Sequence, residues 1–239
     1  MVLAYLFWHR PRDAAAAAEY ERAQIAFHRS LARTPPAGFR GSAVFRVAAL
    51  PWPWSAAAAQ ERAPRDRLGG YEDWYLLEDY TALGVLNEAA VGRGHRSPHD
   101  AVAGRMGAGT GGLYGLVEGQ MAGSLGEQTS VVWVARPPGA VKRGLRELLA
   151  DMLVDGATPG TASLWRRQFV LGPAPEYCLL HGGGEADEHG GADGDAVDGA
   201  AASAADSAVE DAERPAGVSL TRLPAGWSAT TLTRQAIFA

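Results

Sequence analysis

Cysteine is nearly absent: Cys178 is the single one among 239 residues. That excludes an internal disulfide framework and a cysteine-rich zinc site. Long apolar runs are missing too; none reaches the roughly 18–20 residues that a membrane-spanning helix needs. The apolar start MVLAYLFWHR has no basic residues before it and no small-residue cleavage site after it. It reads as a strand rather than a signal peptide, and the default expectation is a cytoplasmic protein with no membrane partner. Lysine is confined to Lys142, the other 21 basic residues being arginine. With 46 alanines and 30 glycines, this is the composition of a GC-rich genome. Apolar residues make up 47% of the chain and charged residues 21%, which is globular and leaves ample material for a core.

The net charge of -5 is unevenly spread. Residues 182–217 hold ten acidic residues against one basic residue, Arg214. That segment has no aromatic residue and no Leu, Ile, Phe or Met, so it cannot offset its ordering entropy by burial. It is expected to be a disordered acidic insertion. Asp193, Asp195 and Asp198 mimic the spacing of an acidic calcium loop, but the distal bidentate glutamate that such a loop requires is missing. No metal site is expected.

A repeat organises the rest. YLFWHRP (Tyr5 to Pro11) resembles VVWVARP (Val131 to Pro137). Each is a strand-like run closed by Arg-Pro and followed by an amphipathic helix. Tyr20, Ala23, Phe27 and Leu31 form one stripe, and Val141, Leu145, Leu148, Leu149 and Met152 the other. Second strands follow at 42–46 and 162–166, and third strands at 73–77 and 176–180. The first half continues with a helix over 81–91, a helix start at Ser97-Pro98-His99-Asp100 with Ser97 as cap, and a last strand over 113–118. Strand, helix, strand, strand, helix, strand is the ferredoxin-like order. The expected fold is α+β: two tandem ferredoxin-like halves, 1–120 and 129–239, joined by a linker at 121–128. The acidic insertion occupies the place of the second helix in the second half.

Each half would expose an apolar sheet face that needs a cover, and two halves can cover each other sheet to sheet with a cavity between them. This arrangement resembles the dimeric α/β-barrel superfamily. That group includes antibiotic-biosynthesis monooxygenases, EthD-like and stress-responsive domains, muconolactone isomerases and chlorite dismutase-like haem proteins. YLFWHRP, GGYEDWYLLEDY and HDAVA also look like a family of prokaryotic proteins to which no activity attaches, so that likeness adds no mechanism. The resemblance implies a small-molecule-binding protein, or a cofactor-independent oxygenase- or isomerase-like enzyme, acting on a small aromatic or polyketide-like ligand. The alternative is a non-catalytic structural or interaction module with a filled core. A haem protein is the third reading. Against it stands the second half, which offers only His181 and His189, neither on the helix from which that family takes its axial ligand.

Strand alternation assigns Trp74 and Leu76 to the helix side, and Asp73, Tyr75 and Leu77 to the space between the sheets. Tyr177 and Leu179, and Glu176, Cys178 and Leu180, are divided in the same way. Arg46 and Arg166 on the neighbouring strands are then expected to pair with Asp73 and Glu176. The pairs would hold an oxygen-rich ligand or serve as ordinary rim ion pairs. His9 ends the first strand, and Ala135 is its counterpart in the repeat. An ionisable residue in only one half is a candidate general base, alongside Asp73. Tyr75 and His99 complete the ligand-binding candidates. His28, beside the helix stripe, reads as structural. His95 and His99 have a metal-like spacing, but the break at Pro98 takes His95 off the helix face. Gly107, Gly109 and Gly112 match a dinucleotide fingerprint in the wrong context, after a helix and before a strand, and read as a turn. Gly123-Ser124-Leu125-Gly126 lacks the first glycine of a nucleophile elbow. No paired aromatic strings of an RNA-binding sheet are present, so no nucleic-acid partner is expected.

Overall fold

The structure, a computed structural model, describes residues 2–47, 70–92, 94–121, 123–128, 130–137, 139–140, 144–153, 162–168, 175–181, 223 and 227–239. The acidic segment 182–217 lies outside them. The strands are β1 (Leu3–Pro11), β2 (Phe39–Val47), β3 (Gly70–Leu77), β4 (Met106–Gly119), β5 (Ser130–Ala135), β6 (Ala162–Arg167), β7 (Tyr177–His181) and β8 (Ser228–Phe238). The α-helices are α1 (Ala17–Arg33), α2 (Tyr80–Val91), α3 (Arg96–Ala103) and α4 (Leu145–Met152). All strand pairings are antiparallel, and they close a barrel in the order β1-β3-β2-β8-β5-β7-β6-β4. The runs β4-β1-β3-β2 and β8-β5-β7-β6 share one internal order. No described helix is long and apolar enough to cross a membrane.

One apolar cluster draws side chains from all eight strands, which places it inside the barrel. Trp8, Trp74, Trp133 and Trp165 dominate it. Trp8 meets Trp133 edge to face at 5.4 Å, and Trp74 meets Trp165 at 5.8 Å. An eight-stranded barrel is just wide enough for side chains to fill, and these indoles fill it. The open space expected between the sheets is therefore corrected to a packed core.

A buried ion pair sits among the indoles. Arg234 Nη1 lies 2.6 Å from Glu72 Oε1, with both side chains fully buried. Trp8 Nε1 and Trp74 Nε1 donate to the same carboxylate at 2.8 and 2.7 Å. Arg234 also donates to the Gln128 carbonyl and covers the Phe45 ring at 3.9 Å. A buried charge is tolerated only with this degree of pairing.

The outer faces carry the helices. Leu148, Leu149 and Met152 of α4 pack on Val132, Val134, Leu164 and Leu179. Phe27 and Leu31 of α1 and Leu86 and Ala90 of α2 pack on Leu3, Tyr75 and Leu77. Asp73, Tyr75 and Leu77 thus face the helices, while Trp74 points into the barrel, the reverse of the expected parity. The assignment of Cys178 and Leu180 to the interior agrees with the structure. The repeat alignment is one residue out at the first strands and three residues out at the third, and either odd shift exchanges the two faces. Trp8 stands opposite Glu72 and Trp133 opposite Cys178. Trp8 therefore corresponds to Trp133 rather than to Val134. The counterpart of His9 is Val134, and that of Asp73 is Leu179.

The glycine-rich stretch expected as a turn is part of β4. A Cβ on Gly109 would lie 2.5 Å from Phe7 Cζ, and one on Gly111 2.7 Å from the Tyr5 hydroxyl. The bare backbone is what lets these β1 rings lie across the neighbouring strand. Helix α3 begins at Arg96 with His95 as cap residue, not at Ser97. The His95 ring is held by Ser30 Oγ at 3.0 Å and the Thr34 carbonyl at 3.1 Å.

The ion pair yields a test. Arg234→Met alone strands Glu72 in the core and is expected to cost about 3–5 kcal/mol, read from urea denaturation. Adding Glu72→Gln, which keeps an acceptor for the indoles, is expected to recover most of that loss.

Candidate functional site

Alternation along β1 and β3 sends His9 and Asp73 to the same outer face, beneath α1. The two are not directly opposite: His9 stands opposite Tyr71, and Asp73 opposite Phe7. His9 reaches the carboxylate on the diagonal, with Nε2 2.9 Å from Asp73 Oδ1. Helix α1 supplies the other partners. Tyr20, Gln24 and His28 follow one another at four-residue spacing, on one face, and all are buried. The Tyr20 hydroxyl lies 2.7 Å from His9 Nδ1. Gln24 Nε2 lies 3.3 and 3.2 Å from the two His9 ring nitrogens. His28 Nδ1 meets Ser42 Oγ at 2.8 Å, and His28 Nε2 lies 3.5 Å from Asp73 Oδ2. Tyr75 donates its hydroxyl to Asp73 Oδ2 at 3.0 Å and stands 3.1 Å from His28 Nε2.

The network has a self-consistent proton assignment. With Tyr20 O–H donating to His9 Nδ1 and Ser42 O–H to His28 Nδ1, each ring presents an Nε2–H to Asp73. Burial alone would raise the Asp73 carboxyl, but His9 and His28 outweigh it and hold the group well below the usual carboxylate range. Burial, then the Asp73 charge, pushes the Tyr75 phenol well above its ordinary value. Tyr20 is raised for the same two leading reasons. Both phenols therefore remain hydrogen-bond donors. Tyr71, stacked on His9 at 5.6 Å, is pushed up to about 12 by burial and its bond to Glu21.

Asp73, Tyr75 and Gln24 form the polar end of a half-open cavity of about 530 Å³. Tyr5 and Phe7 of β1 and Phe27 of α1 supply aromatic walls. Leu86 of α2 and Met106 at the head of β4 add aliphatic surface. A volume in the range of small-molecule sites, mostly apolar with few polar groups, is what ligand pockets share. The cavity lies between the barrel wall and its helices, not inside the barrel.

The other sequence candidates divide. His99 of α3 lines the cavity, its ring against Phe27 at 5.6 Å. Arg46 does not reach Asp73; it binds Glu21 at 2.6 Å on the exposed side of β2. The expected pair fails because Val44, not Arg46, stands opposite Asp73. Glu176 takes Arg136 at 2.9 Å instead of Arg166, which stands opposite Tyr177 across the sheet. Tyr20, Gln24, His28 and Ser42 were missed. The available signal was two polar residues, Gln24 and His28, recurring on the apolar stripe that begins at Tyr20.

No protein-family model matches the sequence, and no curated protein matches it. Among solved structures the chain is similar to a "putative monooxygenase" from Lactobacillus acidophilus NCFM, with 10% identity and a TM-score of 0.42 over 100% of both chains. At those values the likeness carries no chemistry to this chain.

The buried carboxylate gives a pH signature. The folded Asp73 value lies below the ordinary 3.8. Its stabilisation is therefore complete above that ordinary value and is lost as pH falls toward the folded one. Asp73→Asn is expected to cost at least about 2 kcal/mol at neutral pH, with the gap to wild type closing in acid below about pH 4. A gap unchanged between neutral and acid denaturation curves contradicts this.

Proposed function

We propose that the chain is a small-molecule enzyme of the cofactor-independent oxygenase or isomerase type, with its site between the barrel wall and helices α1–α3. Residues 1–120 and 129–239 are read as tandem ferredoxin-like halves of a dimeric α/β-barrel type, joined at 121–128, of which only the first carries the site. The observation that supports this reading is the ionised Asp73 at the polar end of an apolar cavity, backed by two buried imidazoles.

Asp73 is the group that meets the ligand. A carboxylate with so low an affinity for protons is a weak base by itself. The Nε2 atoms of His9 and His28, 2.9 and 3.5 Å away, hold the carboxylate in place where it takes the proton from the ligand. Tyr20 and Ser42 fix the ring tautomers, and Gln24 restrains the His9 ring. The apolar walls exclude water and place an acidic C–H or O–H of the ligand against Asp73. In the second half the same positions are Val134 and Leu179, which bury against α4 and can hold no proton. The filled barrel interior supports the alternative, a non-catalytic module, for the barrel itself; the cavity outside it is what favours chemistry.

The test is proton exchange. 2-Tetralone, an apolar aromatic ketone with an activated C–H, is incubated with the protein in deuterated buffer and followed by NMR. Exchange above the buffer rate is expected, with His9→Gln slowing it about 10²-fold and Asp73→Asn returning it to background. Exchange at the buffer rate with wild type, or exchange indifferent to both variants, removes the acid–base reading.

A further inference from the structure

We propose that the ligand of this cavity is an organic amine: an aromatic or otherwise apolar body bearing a protonated amino group that seats against Asp73. The inference rests on the reading of the cavity as a ligand site.

Charge is the first support. Among the described residues lining the cavity, Asp73 is the only carboxylate, and there is no lysine or arginine. Asp73 is thus the one acidic group at the polar end, with the Tyr20 and Ser42 hydroxyls set against the Nδ1 atoms of its two histidine partners. His99, the histidine of the lining, is partly exposed with its Nδ1 3.4 Å from the Asp100 carboxylate. In a partly desolvated pocket a single charge attracts a cation and repels an anion far more strongly than in water. The arginine pairs that would have suited an oxygen-rich anion are elsewhere, on Glu21 and Glu176.

Hydrogen-bonding capacity is the second. A carboxylate offers about four acceptor sites, and His9, His28 and Tyr75 occupy three on Asp73. Gln24 Oε1 is buried with no hydrogen-bond partner. Asp73 and Gln24 both line the cavity, and an unpaired buried acceptor is costly until a donor arrives. An ammonium brings three N–H donors and no acceptor. The third support is the wall. Tyr5, Phe7 and Phe27 offer ring faces, which favour a nearby cation as well as an apolar body.

Three probes on one skeleton separate the possibilities: 2-naphthylmethylamine, 2-naphthylmethanol and 2-naphthoate, titrated calorimetrically at neutral pH. The cavity control is Gly84→Phe. Gly84 lies on the exposed edge of the lining, and a Cβ there meets nothing within 4 Å, so this position takes a side chain and a ring there is expected to obstruct the mouth. The amine is expected to bind at least tenfold more tightly than the alcohol, with the carboxylate undetected. Gly84→Phe is expected to abolish binding, and Gln24→Leu to weaken the amine severalfold more than the alcohol. If the alcohol or the carboxylate binds as tightly as the amine, and Gly84→Phe abolishes it, the cavity reading stands and the amine inference is overturned. If none of the three binds, or binding survives Gly84→Phe, the cavity reading itself falls and takes the inference with it.

Discussion

Two consecutive carboxylates, Glu72 and Asp73, are buried on opposite faces of one strand, and much of the molecule is arranged to make that tolerable. An unpaired ionised carboxylate in a protein interior costs several kcal/mol even after relaxation. Strand alternation sends one into the barrel and the other beneath the helices. Glu72 is met by Arg234 from β8 and by the indoles of Trp8 and Trp74. Asp73 is met by His9, His28 and Tyr75. The first set of bonds ties the last strand of the chain to the third. The second ties α1 to the sheet and creates the polar end of the cavity.

The barrel and its pocket therefore do different work. The inside is packed by large rings meeting edge to face around one ion pair. The pocket exists because the helix layer over β1 and β3 does not seat fully on the sheet. Glycines in β4 let Tyr5 and Phe7 lie across that strand, so the aromatic surface spreads sideways rather than filling the space below α2 and α3. On the other side of the barrel Val132, Val134 and Leu179 meet α4 directly.

The helices were legible from their stripes of about 3.6-residue period and the strands as short apolar runs. The stripe from Tyr20 to Leu31 and the apolar runs of β1, β6 and β7 need no tertiary information to read. The approach of His9 to Asp73 was also within reach, since both belong to strands that the element order makes neighbours. Which face they share was not. The Arg-Pro motifs were matched one residue out and the third strands three residues out, and in a strand an odd shift exchanges inside for outside. The Arg46 pairing failed for the related reason that register across β2 and β3 is set by pairing, not by position within each segment. The glycine run looked like a turn because nothing local reveals that rings from another strand lie over it.

By itself the sequence determined the element order, the apolar stripes, the scarcity of cysteine and the concentration of acid in one segment, because each of these depends on near neighbours along the chain. Only the tertiary structure decided that the indoles close the barrel interior, that Gln24 turns toward His9 and His28 toward Asp73, and that the cavity lies outside the barrel. Those outcomes depend on strand register and on how a helix seats over a sheet, and both are fixed by contacts between residues far apart in sequence.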